Sequence, residues 1–189
     1  MAVQTMRSIT YLQPGERASC IGCHEQRVTA PRRAGNTLAS RRAPSTIKPG
    51  PEGSKPFNYA ILVQPILDRH CVRCHRPPDA KGGIDLTGTP SGDFTASYLA
   101  LAPRVRYSEW KSTPQANSEP MTHPDLFGAR PSPLMTLIQR RHNDVALSDD
   151  ELRRLATWMD ANALFYGTFD PEDQQRQRRG EMIAGPALE

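Results

Sequence analysis

The sequence predicts a mainly α fold of short helices and long loops, and three observations predict it. Amphipathic helical patterns are short and gather in the last third of the chain, while proline and glycine break up the middle. Apolar residues make up 37% of the 189 positions and 18 positions are proline, which is thin for a core built from side chains alone. The length suits one domain, or one domain with tails. A large apolar group other than a side chain would complete such a core.

Taken in order, residues 1–30 run from an extended stretch at Met6–Leu12 through the breaker Pro14-Gly15 to Cys20-Ile21-Gly22-Cys23-His24. Residues 31–56 form a proline-, glycine- and serine-rich loop carrying Arg32, Arg33, Arg41, Arg42, Lys48 and Lys55 against the single acid Glu52. A second ordered block, 57–169, is expected to make one domain with 1–30. Pro65 suits the first turn of a short helix through Ile66, Leu67 and His70 into Cys71-Val72-Arg73-Cys74-His75.

From Arg76 to Arg130 the repeated prolines and glycines leave only Thr95–Leu101 as a short helix. Phe94, Tyr98, Tyr107, Trp110 and Phe127 mark the rest as wrapping loops rather than a free linker. Ser132-Pro133 predicts an N-cap with proline at the first helical position, and Leu134, Ile138 and His142 then fall four apart on one face. Ser148-Asp149-Asp150-Glu151 has the capping-box pattern, with Leu152, Leu155, Ala156 and Met159 as the buried stripe. That helix is expected to reach about Phe165 and to end at Gly167. Trp158 and Phe165 suit either a cofactor face or ordinary core. Residues 170–189 read as a charged tail, frayed or disordered.

The only four cysteines lie in the two Cys-x-x-Cys-His motifs. Two thiols three positions apart can both reach the vinyl groups of one porphyrin, and the following histidine offers an imidazole to its iron, so the pair reads as two covalently attached c-type haems. The expected fold is therefore a small c-type cytochrome of short helices and long loops packed around two covalent haems. A zinc site of paired cysteines is the bland alternative, but it requires no histidine after the second cysteine, and here both motifs have one. Neither motif follows a strand and opens a long helix, as a thioredoxin-like pair would.

Of five histidines, His24 and His75 are committed as proximal ligands. His142, on its apolar helical face, is the first candidate for a far-side position. His123, in Met121-Thr122-His123-Pro124, is the second, with Met121 as its competitor, since a thioether would raise the reduction potential. His70, next to Cys71, should turn away from its own haem.

The stretch Met6-Arg7-Ser8-Ile9-Thr10-Tyr11 with Pro14-Gly15-Glu16 and Cys20–Glu25, then Thr122-His123-Pro124 with Phe127-Gly128-Ala129, then Trp158-Met159-Asp160-Ala161-Asn162 with Tyr166-Gly167, resembles the dihaem cytochrome c domain of planctomycete-type proteins. That domain is similar to the carboxy-terminal part of the hydrazine synthase alpha subunit. The resemblance implies a mostly helical haem domain, often attached to a larger amino-terminal region. It also implies a second haem held by two histidines, which pairs His75 with His142. In hydrazine synthase a tyrosine four residues after the first motif histidine binds iron; here that position is Val28, so the catalytic arrangement does not carry over. A His24-ligated haem closed by His123 fits these residues better.

The expected function is electron transfer between redox partner proteins through two closely spaced, six-coordinate haems. The alternative is a haem enzyme with one open iron acting on a small nitrogen compound or peroxide. The net charge of +4 is concentrated in the basic loop, which reads as a solvated linker or a docking surface for an acidic partner. No aromatic-interleaved platform suggests nucleic acid, and no run approaches the roughly 20 apolar residues of a membrane span. Haem c is attached outside the bacterial cytoplasm, so a periplasmic or other extracytoplasmic setting is expected, although Met1–Thr10 has no apolar signal segment.

Overall fold

The computed structural model describes residues 1–3, 55–106 and 124–185, with the scattered positions 13, 15, 16, 28, 41–43, 46, 50 and 53. The chain divides into two compact units. One comprises Met1–Thr5, Pro49–Ser108 and Pro124–Glu189, the other Met6–Lys48 and Glu109–His123. In the second unit, the Glu16 amide donates to the Gln13 carbonyl at 2.9 Å and the Gln13 amide to the Glu16 carboxylate at 2.8 Å. Gly15 supplies the left-handed φ of +78° that this turn needs.

The described part of the first unit is mainly helical with a two-stranded hairpin. Helix α1 (Tyr59–Leu62) is capped by Asn58, whose side chain accepts from the Ala60 amide at 2.9 Å. Helix α2 (Gln64–His70) follows after Val63, with Pro65 in its first turn as the sequence indicated. Strands β1 (Pro90–Ser91) and β2 (Phe94–Thr95) pair antiparallel, in a region where the sequence pointed only to loops. The Gly92-Asp93 dipeptide, with Gly92 at φ +59°, is the turn signal that could have found them. Helix α3 (Ala96–Leu101) starts at its N-cap Thr95, within the stretch expected to be helical.

Helix α4 (Pro133–Gln139) has proline in its first turn, but Ser132 makes no side-chain cap. Its hydroxyl instead donates to the Gly128 carbonyl at 2.6 Å and accepts the Arg106 amide at 2.8 Å, tying two loops together in the interior. Helix α5 (Asp149–Asp160) has the expected capping box and buries Leu155, Ala156, Trp158 and Met159. It stops short of the predicted Phe165. Asn162 and Ala163 are left-handed, and the Ala163 amide donates to the Trp158 carbonyl at 2.9 Å, closing the end a turn and a half early.

The expected charged tail contains an ordered helix, α6 (Pro171–Arg178). Asp170 caps it by accepting the Glu172 and Asp173 amides, both at 2.9 Å. Its buried Gln177 donates to the Phe57 carbonyl at 3.0 Å and accepts the Gly167 amide at 2.9 Å. One polar residue, invisible to a hydrophobic pattern, docks the helix.

The core is an aromatic cluster. Tyr59 has ring centres 5.3 Å from Tyr98, 5.3 Å from Trp158 and 5.4 Å from Phe165, and Phe94 lies 5.0 Å from Tyr98. Trp158 and Phe165 are thus core residues. Beneath Tyr59, its hydroxyl donates to Ser97, which donates to Gln64, whose amide reaches Asp68 and the Leu86 carbonyl, so the buried polar atoms are satisfied. Burial raises the Tyr59 phenol further above its ordinary value, outweighing the Ser97 hydrogen bond, and the group stays neutral. Among the described residues no helix is long and apolar enough to cross a membrane.

Gly167 packs on the backbone of Pro56 and Phe57, where a Cβ would fall inside contact distance of Phe57 N and O. Gly167→Ala should therefore destabilise the protein by about 2 kcal/mol or more, since backbone cannot yield as a side-chain tip can. The shift of the urea midpoint at unchanged slope measures it.

Candidate functional site

Helix α2 ends at His70, and the chain continues in tight turns through the second motif. The Cys71 and Val72 amides donate to the Leu67 carbonyl at 2.8 and 2.9 Å, and the Cys74 and His75 amides to the Cys71 carbonyl, both at 3.1 Å. Winding the motif this way turns Cys71, Cys74 and His75 onto one cavity. The following segment folds back over it: the Lys81 amide donates to the Cys74 carbonyl and the Leu86 amide to the His75 carbonyl, both at 2.9 Å.

The cavity has a volume of about 470 Å³. Ile66, Leu67, Leu86, Leu101 and Leu155 line it, together with Leu134 and Ile138 of α4. Both motif cysteines are free thiols on this cavity. Burial pushes the Cys71 thiol up, against the opposing pull of Arg73, so it is held protonated.

His142 also lines the cavity, though by a different backbone from the one the sequence suggested. Helix α4 ends at Gln139, and Arg141 turns left-handed at φ +52°, so His142 sits in a 3-10 turn (His142–Asp144) beyond the helix. Its Nε2 lies 3.0 Å from the Asn143 side-chain nitrogen. With the amide donating, Nε2 is the unprotonated nitrogen and its lone pair accepts that hydrogen bond, so a metal bound there would have to displace the Asn143 amide.

The rings of His75 and His142 both line the cavity, with centres 6.2 Å apart and planes inclined by 31°. Two imidazoles on opposite sides of one metal, each bound at about 2 Å with its centre roughly 1.1 Å behind the bonding nitrogen, have centres about 6 Å apart. Among the described residues, His75 Nδ1 is buried without a hydrogen-bond partner. The donor set fits a covalently attached haem: two thiols to tether it, two imidazoles at the right span, and an apolar slot for a flat porphyrin. Among the described residues no group of three or more His, Cys, Asp or Glu side chains has metal-holding geometry.

His70 lines the same cavity, and its ring is held by an acid. Its Nε2 lies 3.0 Å from Glu151 Oε1, which also accepts from Arg69 at 2.7 Å, while Glu151 Oε2 accepts the Ser148 amide at 2.9 Å and hydroxyl at 3.0 Å. The sequence marked Glu151 only as a cap; its reach across to α2 was not legible because that contact spans 81 positions. Burial opposes ionisation of Glu151, but the Ser148 and His70 hydrogen bonds together outweigh it and lower the carboxyl to about 2.

The first motif, Cys20, Cys23 and His24, and the candidates His123 and Met121 lie outside the described residues. Residues 1–25 match the model of a family described as the hydrazine synthase alpha subunit middle domain. The match includes the first Cys-x-x-Cys-His and stops before the basic loop, and it falls on the middle domain rather than the carboxy-terminal part that the resemblance implied. No curated protein and no solved structure matches the chain.

Because the folded-state value of Glu151 is depressed, its contribution is complete above the ordinary carboxyl value of 4.5 and is lost as pH falls through about 2. Glu151→Gln, which keeps the cap but not the charge, should cost about 2 kcal/mol at neutral pH. Urea unfolding of both proteins across pH 2–7 should show that difference flat near neutrality and shrinking toward the acid end; a difference constant across the range would contradict the assignment.

Proposed function

We propose that the chain is a dihaem c-type cytochrome that carries electrons between redox partner proteins through two closely spaced, six-coordinate haems in an extracytoplasmic compartment. The observation that carries this reading is the pair His75 and His142, 6.2 Å apart on a cavity that also exposes Cys71 and Cys74. A haem bound there supplies a one-electron iron couple.

The chain's own residues do the rest. Cys71 and Cys74 would hold a haem through two thioethers, each S–H adding across a vinyl group. His75 and His142 would hold its iron and leave no place for substrate, and the leucine walls would exclude water. For the first motif the reading assigns Cys20 and Cys23 as tethers and His24 as proximal ligand, with His123 as the closing ligand and Met121 as its competitor. The basic stretch 31–56 would face an acidic partner, and a larger amino-terminal region would suit the multidomain setting of the family matched at residues 1–25.

That match favours a second reading confined to the first haem, in which its iron stays open and acts on a small nitrogen compound or peroxide. Carbon monoxide separates the two, because the gas binds ferrous haem only at an open or weakly held position. If both irons are closed, the dithionite-reduced spectrum is unchanged by the gas; an open first haem would shift about half of the Soret intensity.

His142→Ala should free the second iron. A high-spin ferric band should appear, and about half of the Soret intensity should become newly sensitive to carbon monoxide. A variant spectrum identical to the parent would remove His142 from the iron.

A further inference from the structure

Three cations line the cavity and no carboxylate does: Arg73 from the motif, Lys81 from the 3-10 turn Lys81–Gly83, and Arg104 from the turn Ala102–Arg104. The ion pairs of this unit engage other cations, Arg69, Arg130, Arg154, Arg176 and Arg179. None of the three cavity cations has a carboxylate partner among the described residues. An otherwise apolar slot with one sign of charge at its rim selects an apolar body with an anionic end.

A porphyrin of the haem type has that form, with two propionates leaving the edge opposite its vinyl groups. Arg73 stands between the two thiols and so lies at the vinyl edge. Lys81 and Arg104 come from turns outside the motif and remain for the carboxylates. Arg104 is held by donation to the Ala100 carbonyl at the end of α3, which leaves further guanidinium N–H groups to donate elsewhere. A planar fork of donors suits a carboxylate, and a mobile ammonium suits the second.

We infer that Arg104 and Lys81 form the propionate-binding rim of this cavity, Arg104 as the principal anchor. The inference rests on reading the second motif as a haem attachment site. The rim fixes the rotation of the plate within its slot, so that the two imidazoles meet the iron and not the ring.

The test is the propionate bending band in the resonance Raman spectrum of the haem-loaded protein, read beside the mass of the Cys71–Cys74 peptide. In Arg104→Gln and in Lys81→Gln part of the band should shift, and in Arg104→Lys it should return toward the parent position. Arg178→Gln, an equal loss of charge on α6, should leave it unchanged. A peptide mass showing attached haem with an unmoved band in both glutamine variants would overturn the rim and leave the haem reading standing. A peptide without haem in the parent protein would overturn both.

Discussion

The site depends on one carboxylate. Glu151 closes the N-terminus of α5 through Ser148 and, with its other oxygen, grips Arg69 and His70 at the end of α2. Those two residues immediately precede Cys71. The helix that supplies Leu155 to the cavity and the turn that supplies both thiols and His75 are therefore indexed to each other by a single ionised group. A buried carboxylate is tolerable only with its acceptor positions filled, and here four donors fill them. Burial pushes the carboxyl up, and the Ser148 and His70 hydrogen bonds among these four more than offset it.

The unit has two interiors of different character. The aromatic cluster around Tyr59 and Trp158 is closed and self-sufficient, with its polar atoms paired through Ser97 and Gln64. The cavity is a leucine-walled space that shares Leu67, Leu101 and Leu155 with that core but has no side chains to fill it. The low apolar content of the sequence is accounted for by this division. Six aromatic residues make up the first interior, and the second surrounds a cavity of about 470 Å³.

Much of this was legible because it is local. The capping box at Ser148, the proline-started helices at Pro65 and Pro133, the short helix after Thr95 and the thiol spacing each depend on neighbours within one turn. What was not legible depends on distant partners. Gln177 gives no signal in a charged segment, yet it docks α6 by bonding 120 positions back to Phe57. The premature end of α5 follows from left-handed Asn162 and Ala163, which an apolar stripe continuing to Phe165 conceals. His142 lines the cavity beside Leu134 and Ile138, but not by the helical periodicity the sequence offered, because α4 ends at Gln139 and a 3-10 turn carries the imidazole.

That loop has a mechanical side. Arg141, Asn143 and Asp144 are all left-handed, at φ +52°, +48° and +60°. Asn and Asp bear this conformation cheaply, but Arg141 carries a cost on the order of 1–2 kcal/mol. Helices α4 and α5 act as fixed posts, and the segment between them is a sprung catch with the imidazole at its tip. Such a catch has little holding force of its own. The imidazole therefore hangs on the one strained segment of the cavity wall and on neither of the helices that flank it.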